Sequence, residues 1–209
     1  MRNIKTIAST IKVGEPVSGK LWSYHPLSPS AHLIEYELEQ NEVSNGIVWH
    51  LRDPTILYCI DGMNNRIISF AYNVVTRTIT GYIGIAFDLQ FWNSNQQHPL
   101  YTGHAMLGRM TIDTKGRIWV PLYEGSHVLQ IDPLNRAVLQ AIHIPAARVS
   151  ACVFGGASKN ILYVSTLGYN NPKDRPAGDQ GGKIFAVTKL GNDVMGHWAK
   201  AFDVPKGYV

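Results

Sequence analysis

Asn45 is the side chain whose type and place best suit it to hold a cation. Its carbonyl oxygen is a hard donor of the kind calcium takes, and it sits in the run Ser44-Asn45-Gly46-Ile47-Val48-Trp49. Two further runs share that phase, Leu107-Gly108-Arg109-Met110-Thr111-Ile112 and Val149-Ser150-Ala151-Cys152-Val153-Phe154. In each, a small or polar residue precedes an apolar strand, which makes Asn45, Gly108 and Ser150 equivalent positions. Asn-Gly is also a common turn dipeptide, and that reading stays open here. The eight histidines show no close pair of the zinc-motif kind. His98 and His104 share a long loop from which either could reach a neighbouring site. Ser150 has no evident His and acid partners for nucleophilic catalysis. Gly155-Gly156 is not followed by the strand-to-helix change of a phosphate loop. Asp113 and Asp132 read as turn formers. Asp61 ends an inner strand and is a second candidate carboxylate. Glu15, in Val13-Gly14-Glu15-Pro16-Val17, is a candidate ligand or a surface loop acid.

The elements that would position these residues recur in pairs. The first member is short, apolar and aromatic, as in Lys20-Leu21-Trp22-Ser23-Tyr24, Ile56-Leu57-Tyr58-Cys59-Ile60, Arg117-Ile118-Trp119-Val120 and Ile161-Leu162-Tyr163-Val164-Ser165. The second alternates apolar and polar residues, as in Leu33-Ile34-Glu35-Tyr36-Glu37, Arg66-Ile67-Ile68-Ser69-Phe70, His127-Val128-Leu129-Gln130-Ile131 and Lys183-Ile184-Phe185-Ala186-Val187. Period-two alternation in β-branched and aromatic residues is the strand signature. The Asn45, Gly108 and Ser150 runs precede three of these pairs at an offset of about a dozen residues, and the aromatic marks recur at the roughly 40–50-residue spacing of propeller blades. The long stretch from Ile83 to Gly103 shows no clear period. A repeat of fixed internal phase favours a β-propeller over a sandwich. The expected fold is all-β, an incomplete propeller of about four blades forming a single domain over residues 1–209. The first strand of each blade lines the channel, so Asn45, Gly108 and Ser150 should surround one mouth.

Composition narrows the partners. The chain has 209 residues, a formal net charge of +4 and 16% charged residues. Lys and Arg are scattered singly, so neither nucleic acid nor a membrane surface is expected as a partner. No run approaches the roughly 20 apolar residues of a membrane span, and a cytoplasmic location is expected. Cys59 and Cys152 sit in apolar runs and read as buried reduced thiols. Open strand edges predict self-association.

At these motifs the chain resembles the regucalcin/gluconolactonase family, also called the SMP-30 and luciferin-regenerating-enzyme family. The match runs from about Gly19 to Leu190. It rests on the three mouth runs together with Leu57-Tyr58-Cys59-Ile60-Asp61, Gly116-Arg117-Ile118-Trp119-Val120, Val128-Leu129-Gln130-Ile131-Asp132-Pro133, Phe154-Gly155-Gly156, Leu162-Tyr163-Val164-Ser165-Thr166 and Gly181-Gly182-Lys183-Ile184-Phe185. The resemblance implies a six-bladed propeller with one divalent cation, calcium, zinc or manganese, at the channel mouth, and a sugar lactone as substrate. It implies that Asn45 is a metal ligand. It also places Leu107-Gly108-Arg109-Met110 on the family's Pro-Asp-Gly-Met motif, so Gly108 stands where the acid that binds metal and activates water is expected. The family's early Glu and its substrate-binding stretch fall before the matched part. The functional expectation is a regucalcin-like protein related to metal-dependent sugar-lactone hydrolases. Its alternative is a truncated, catalytically impaired calcium-binding or interaction propeller.

Overall fold

The computed structural model describes residues 20–24, 33–37 and 44–199. Fourteen strands fall in four antiparallel sheets among these residues. A hairpin pairs β1 (Lys20–Tyr24) with β2 (Leu33–Glu37). A four-stranded meander follows, formed by β3 (Ser44–Trp49), β4 (Ile56–Asp61), β5 (Arg66–Asn73) and β6 (Thr78–Asp88). The next sheet holds β7 (Met106–Leu107) and β8 (Thr111–Ile112), both on β9 (Ile118–Tyr123), then β10 (His127–Asp132) and β11 (Ala137–His143). The last joins β12 (Val149–Gly155), β13 (Ile161–Thr166) and β14 (Ile184–Val187). Apart from β7, which pairs with β9 beside β8, each strand pairs with a sequence neighbour, the up-and-down order of propeller blades. Among the described residues no helix is long and apolar enough to cross a membrane.

The blades stack face to face, and β9 shows why its sequence is apolar throughout. Ile118, Val120 and Leu122 point into a core shared with Tyr58, Ile60, Ile67 and Phe87 of the preceding blade. Trp119 points the other way and packs with Val149, Phe154, Leu162 and Val164 of the following one. Successive strand residues face opposite sides, and here both sides are interior. Fully burying such a side chain contributes about 1.5–3 kcal/mol. Trp119 meets Phe154 edge to face, with ring centroids 5.6 Å apart. Its Nε1–H donates to Asp113 Oδ2 at 3.0 Å. Asp113 is fully buried and also accepts from Lys115 N and from Arg117 N and Nε. It closes the β8–β9 turn as expected, and it ties that turn to the core.

Three elements lay outside the sequence pattern. β6 extends through the first part of the aperiodic stretch, to Asp88. A short helix α1 (Leu89–Ser94) then starts where Asp88 Oδ1 accepts the Phe91 N–H at 2.9 Å, an N-cap. β11 alternates half-buried and exposed residues at the rim of its sheet.

Candidate functional site

The three mouth positions coincide with three backbone irregularities. In β3, Ser44 lies opposite Asp61 and Ile47 opposite Cys59, so one extra residue is accommodated at Asn45-Gly46. In the next blade Leu107 lies opposite Leu122 and Thr111 opposite Trp119, again one residue more on the inner side, at Gly108–Met110. In β12, Val149 lies opposite Thr166 and Ala151 opposite Ser165, which places the extra residue at Ser150. A bulge bends its strand and re-aims a side chain. The bulges therefore repeat with the blades, and they turn Asn45, Gly108 and Ser150 toward a common cavity.

That cavity has a volume of about 470 Å³, and Asn45, Gly108, Arg109, Tyr123, Ser150 and Ser165 all line it. Asn45 Nδ2 donates to the Leu107 carbonyl at 2.9 Å, which fixes the amide across the blade boundary and leaves Oδ1 as its acceptor. Ser150 Oγ lies 2.9 Å from Ser165 Oγ and 3.1 Å from the Ser165 carbonyl. Ser165 Oγ also reaches the Ala151 carbonyl at 3.4 Å. Backbone pairing closes the same boundary, because Arg109 N donates to Ser150 O at 3.0 Å and Cys152 N to Arg109 O at 3.3 Å.

Gly108 is where this closure is tightest. A Cβ built there would stand 2.5 Å from the Ser150 carbonyl oxygen and 2.9 Å from Pro121 Cγ. Gly108 N meanwhile donates to Pro121 O at 2.8 Å. The position has no space for a carboxylate unless the Ser150 backbone moves. Arg109, next to it, is exposed, and among the described residues no carboxylate pairs with it. Arg148, near the same mouth, has its charge occupied: Nε donates to Glu124 Oε1 at 2.9 Å, and the guanidinium lies 4.1 Å from the Tyr169 ring centroid. That bond to Glu124 raises the Arg148 pKa.

The other candidates lie apart. His98 and His104 are exposed and do not line the cavity. Asp61 is buried, with Oδ2 accepting from Asn64 Nδ2 at 2.7 Å, and it too is outside the lining. Asp132 accepts from Leu134 N and Asn135 N, as a turn former does. Glu15 falls outside the described residues. Cys59 and Cys152 are buried, and burial pushes the Cys152 thiol up to about 12. Tyr123, Ser165 and Arg109 were given no role from the sequence, although Arg109 directly follows Gly108, which shares the phase of Asn45.

The model of the SMP-30/Gluconolactonase/LRE-like region matches residues 8–168. The chain belongs to this family. Human regucalcin is 29% identical over 174 residues, which are 83% of this chain and 52% of that protein. The chain spans about half the length of the curated relatives it matches. Among solved structures it is similar to a luciferin-regenerating enzyme, with a TM-score of 0.70 and 23% identity over 87% of this chain and 54% of the other. It is also similar to a protein from Agrobacterium tumefaciens described as a calcium-binding protein, regucalcin, with a TM-score of 0.68 and 18% identity over 88% of this chain and 56% of the other. The fold is thus the all-β propeller architecture of these proteins. The family match ends before Gly181-Gly182-Lys183, although β14 continues the last blade.

The family's divalent cation can be tested against the residues present. Calcium takes about six to eight oxygens, mostly carboxylates and carbonyls. Among the described residues the cavity lining offers Asn45 Oδ1, serine hydroxyls and no carboxylate, with a fixed positive charge at Arg109. No three His, Cys, Asp or Glu gather anywhere among the described residues. The donors that the described residues supply do not fit a catalytic divalent ion.

Proposed function

We propose that this regucalcin-like chain binds a small polyhydroxylated molecule of the sugar-lactone class at its channel mouth and does not hydrolyse it with a metal. Family membership supports the ligand class. Gly108 carries the second half of the reading. Lactone hydrolysis at such a mouth calls for a cation to polarise the carbonyl and a base to activate water. The position expected to supply the acid has neither a side chain nor the space for one, since its Cβ would meet the Ser150 carbonyl at 2.5 Å. The buried free thiol of Cys152 suits a reducing compartment, so we place the chain in the cytoplasm.

A metal-dependent sugar-lactone hydrolase is the second reading, and the placement of Asn45 at the cavity favours it. The two separate in one assay. Gluconolactone hydrolysis is followed with added calcium, zinc or manganese, for the parent chain and for Asn45→Ala. We expect no metal-dependent rate above the uncatalysed one in either protein. Turnover that needs metal and is lost in Asn45→Ala would replace our reading with the second.

A further inference from the structure

The cavity at the mouth has an unusual charge pattern for a site flanked by so many polar groups. Among the described residues its lining holds one ionised side chain, Arg109, and no acid. Arg148 nearby is already paired with Glu124, whereas no described carboxylate pairs with Arg109. A guanidinium keeps its charge at every accessible pH and presents a planar fork of donors that matches a carboxylate bidentately. One unpaired cation balances one negative charge. A phosphate carries about −1.5 to −2 at neutral pH, and among the described residues the lining has no second cation to meet it.

The neutral groups complete the pattern. The hydroxyl protons of Ser150 and Ser165 already have oxygens to donate to, in each other and in the Ser165 and Ala151 carbonyls. What these hydroxyls offer the cavity is lone pairs. Asn45 does the same, since its amide nitrogen is taken by Leu107 O and Oδ1 remains. Asn45, Ser150 and Ser165 therefore accept hydrogen bonds from the cavity, Arg109 donates them, and the Tyr123 hydroxyl can do either. The cavity volume of about 470 Å³ lies within the usual range for small-molecule sites, about 300–1,000 Å³.

The geometry points to a polyhydroxylated monocarboxylate, a sugar acid, as the ligand of this cavity, with Arg109 holding the carboxylate and Asn45, Ser150 and Ser165 accepting from its hydroxyls. This assignment rests on the reading that the mouth binds without metal-assisted turnover. Within the ligand class of that reading it favours the ring-opened acid over the neutral lactone, and the charge of Arg109 opposes a divalent cation at the same position.

Calorimetric titration of the full chain tests it, with gluconate, with sorbitol as the uncharged polyol of the same carbon count, with inorganic phosphate and with calcium chloride. We expect gluconate to saturate, and sorbitol and phosphate each to bind at least about tenfold more weakly, a difference of about 1.4 kcal/mol. Gluconate affinity should fall with added salt. Arg109→Met should lower it by at least tenfold, and Arg109→Lys, which keeps the charge without the fork, by less. Arg109 is exposed, so both variants should melt with the parent. Equal affinity for gluconate and sorbitol, unchanged binding in Arg109→Met, tighter binding of phosphate, or saturable calcium displaced by gluconate would each overturn the assignment. Metal-dependent gluconolactone turnover would instead overturn the proposed function. Absence of both turnover and gluconate binding would remove only this inference.

Discussion

At the residue scale, Gly108 is required for the space it leaves empty rather than for conformational freedom. The close approach is to backbone, the Ser150 carbonyl at 2.5 Å, and to the ring of Pro121 at 2.9 Å. A flexible side chain could yield, but this carbonyl also accepts the Arg109 N–H across the blade boundary. Gly108→Ala should therefore cost about 1–3 kcal/mol, the usual range for overpacking, read as a lower denaturant midpoint with an unchanged slope. Gly108→Asp should cost more and should gain no calcium binding. A Gly108→Ala midpoint equal to the parent's would show that the boundary is loose. The sequence could say that an acid is absent at Gly108. It could not say that the fold has closed over the position, because the closing groups are the Ser150 carbonyl and Pro121, which are remote in the chain. Arg109 was equally visible as a residue and equally silent, since its meaning depends on which charges lie nearby.

At the element scale, the blade repeat was readable because each blade obeys period-two patterning and places an aromatic residue at one phase. Tyr58, Trp119 and Tyr163 mark β4, β9 and β13 as expected. β6, β11 and α1 escaped for a physical reason. Outer strands face solvent on one side and have less need of apolar residues, and a helix of six residues is too short to show a 3.6-residue period. The β10–β11 ladder also carries a titratable pair. His127 lies opposite His143, with ring centroids 5.2 Å apart. Its Nδ1 lies 2.7 Å from the Gly125 carbonyl, which can only accept, so Nδ1 carries the proton. Burial depresses the His127 pKa below 6.5, and the charge of His143 adds to this against the Gly125 bond. A depressed folded-state pKa means that the unfolded chain binds the proton more readily. The stability this contributes is present above pH 6.5 and is lost as pH falls from there through the folded value. The melting temperature should drop over that interval, and His127→Gln should flatten the drop. A His127→Gln profile parallel to the parent's would assign the pH dependence to other groups.

At the scale of the whole molecule, the blades differ in how their faces are covered. The β7–β11 sheet is interior on both sides, with Ile118 and Val120 in one core and Trp119 and Val128 in the other. The β12–β14 sheet buries Cys152, Phe154, Leu162 and Val164 on one side only. On its other side Val153, Tyr163 and Ala186 form a cross-strand row, and Ile184 lies opposite Ser165. Val153 is 58% exposed and Ile184 73% exposed, and among the described residues β14 is also an edge strand. Contiguous apolar surface beside an unpaired edge favours association. We expect the chain to self-associate through this face. Light scattering after size-exclusion chromatography should give a mass that rises with concentration. Val153→Lys combined with Ile184→Lys should shift it toward the monomer, because both side chains leave the core untouched and charge both the face and the edge. The melting temperature of the double variant, measured at high dilution, should match the parent's, which separates loss of association from loss of fold. A parent chain that stays a monodisperse monomer across the concentration series would overturn the expectation. So would a double variant that associates as strongly as the parent.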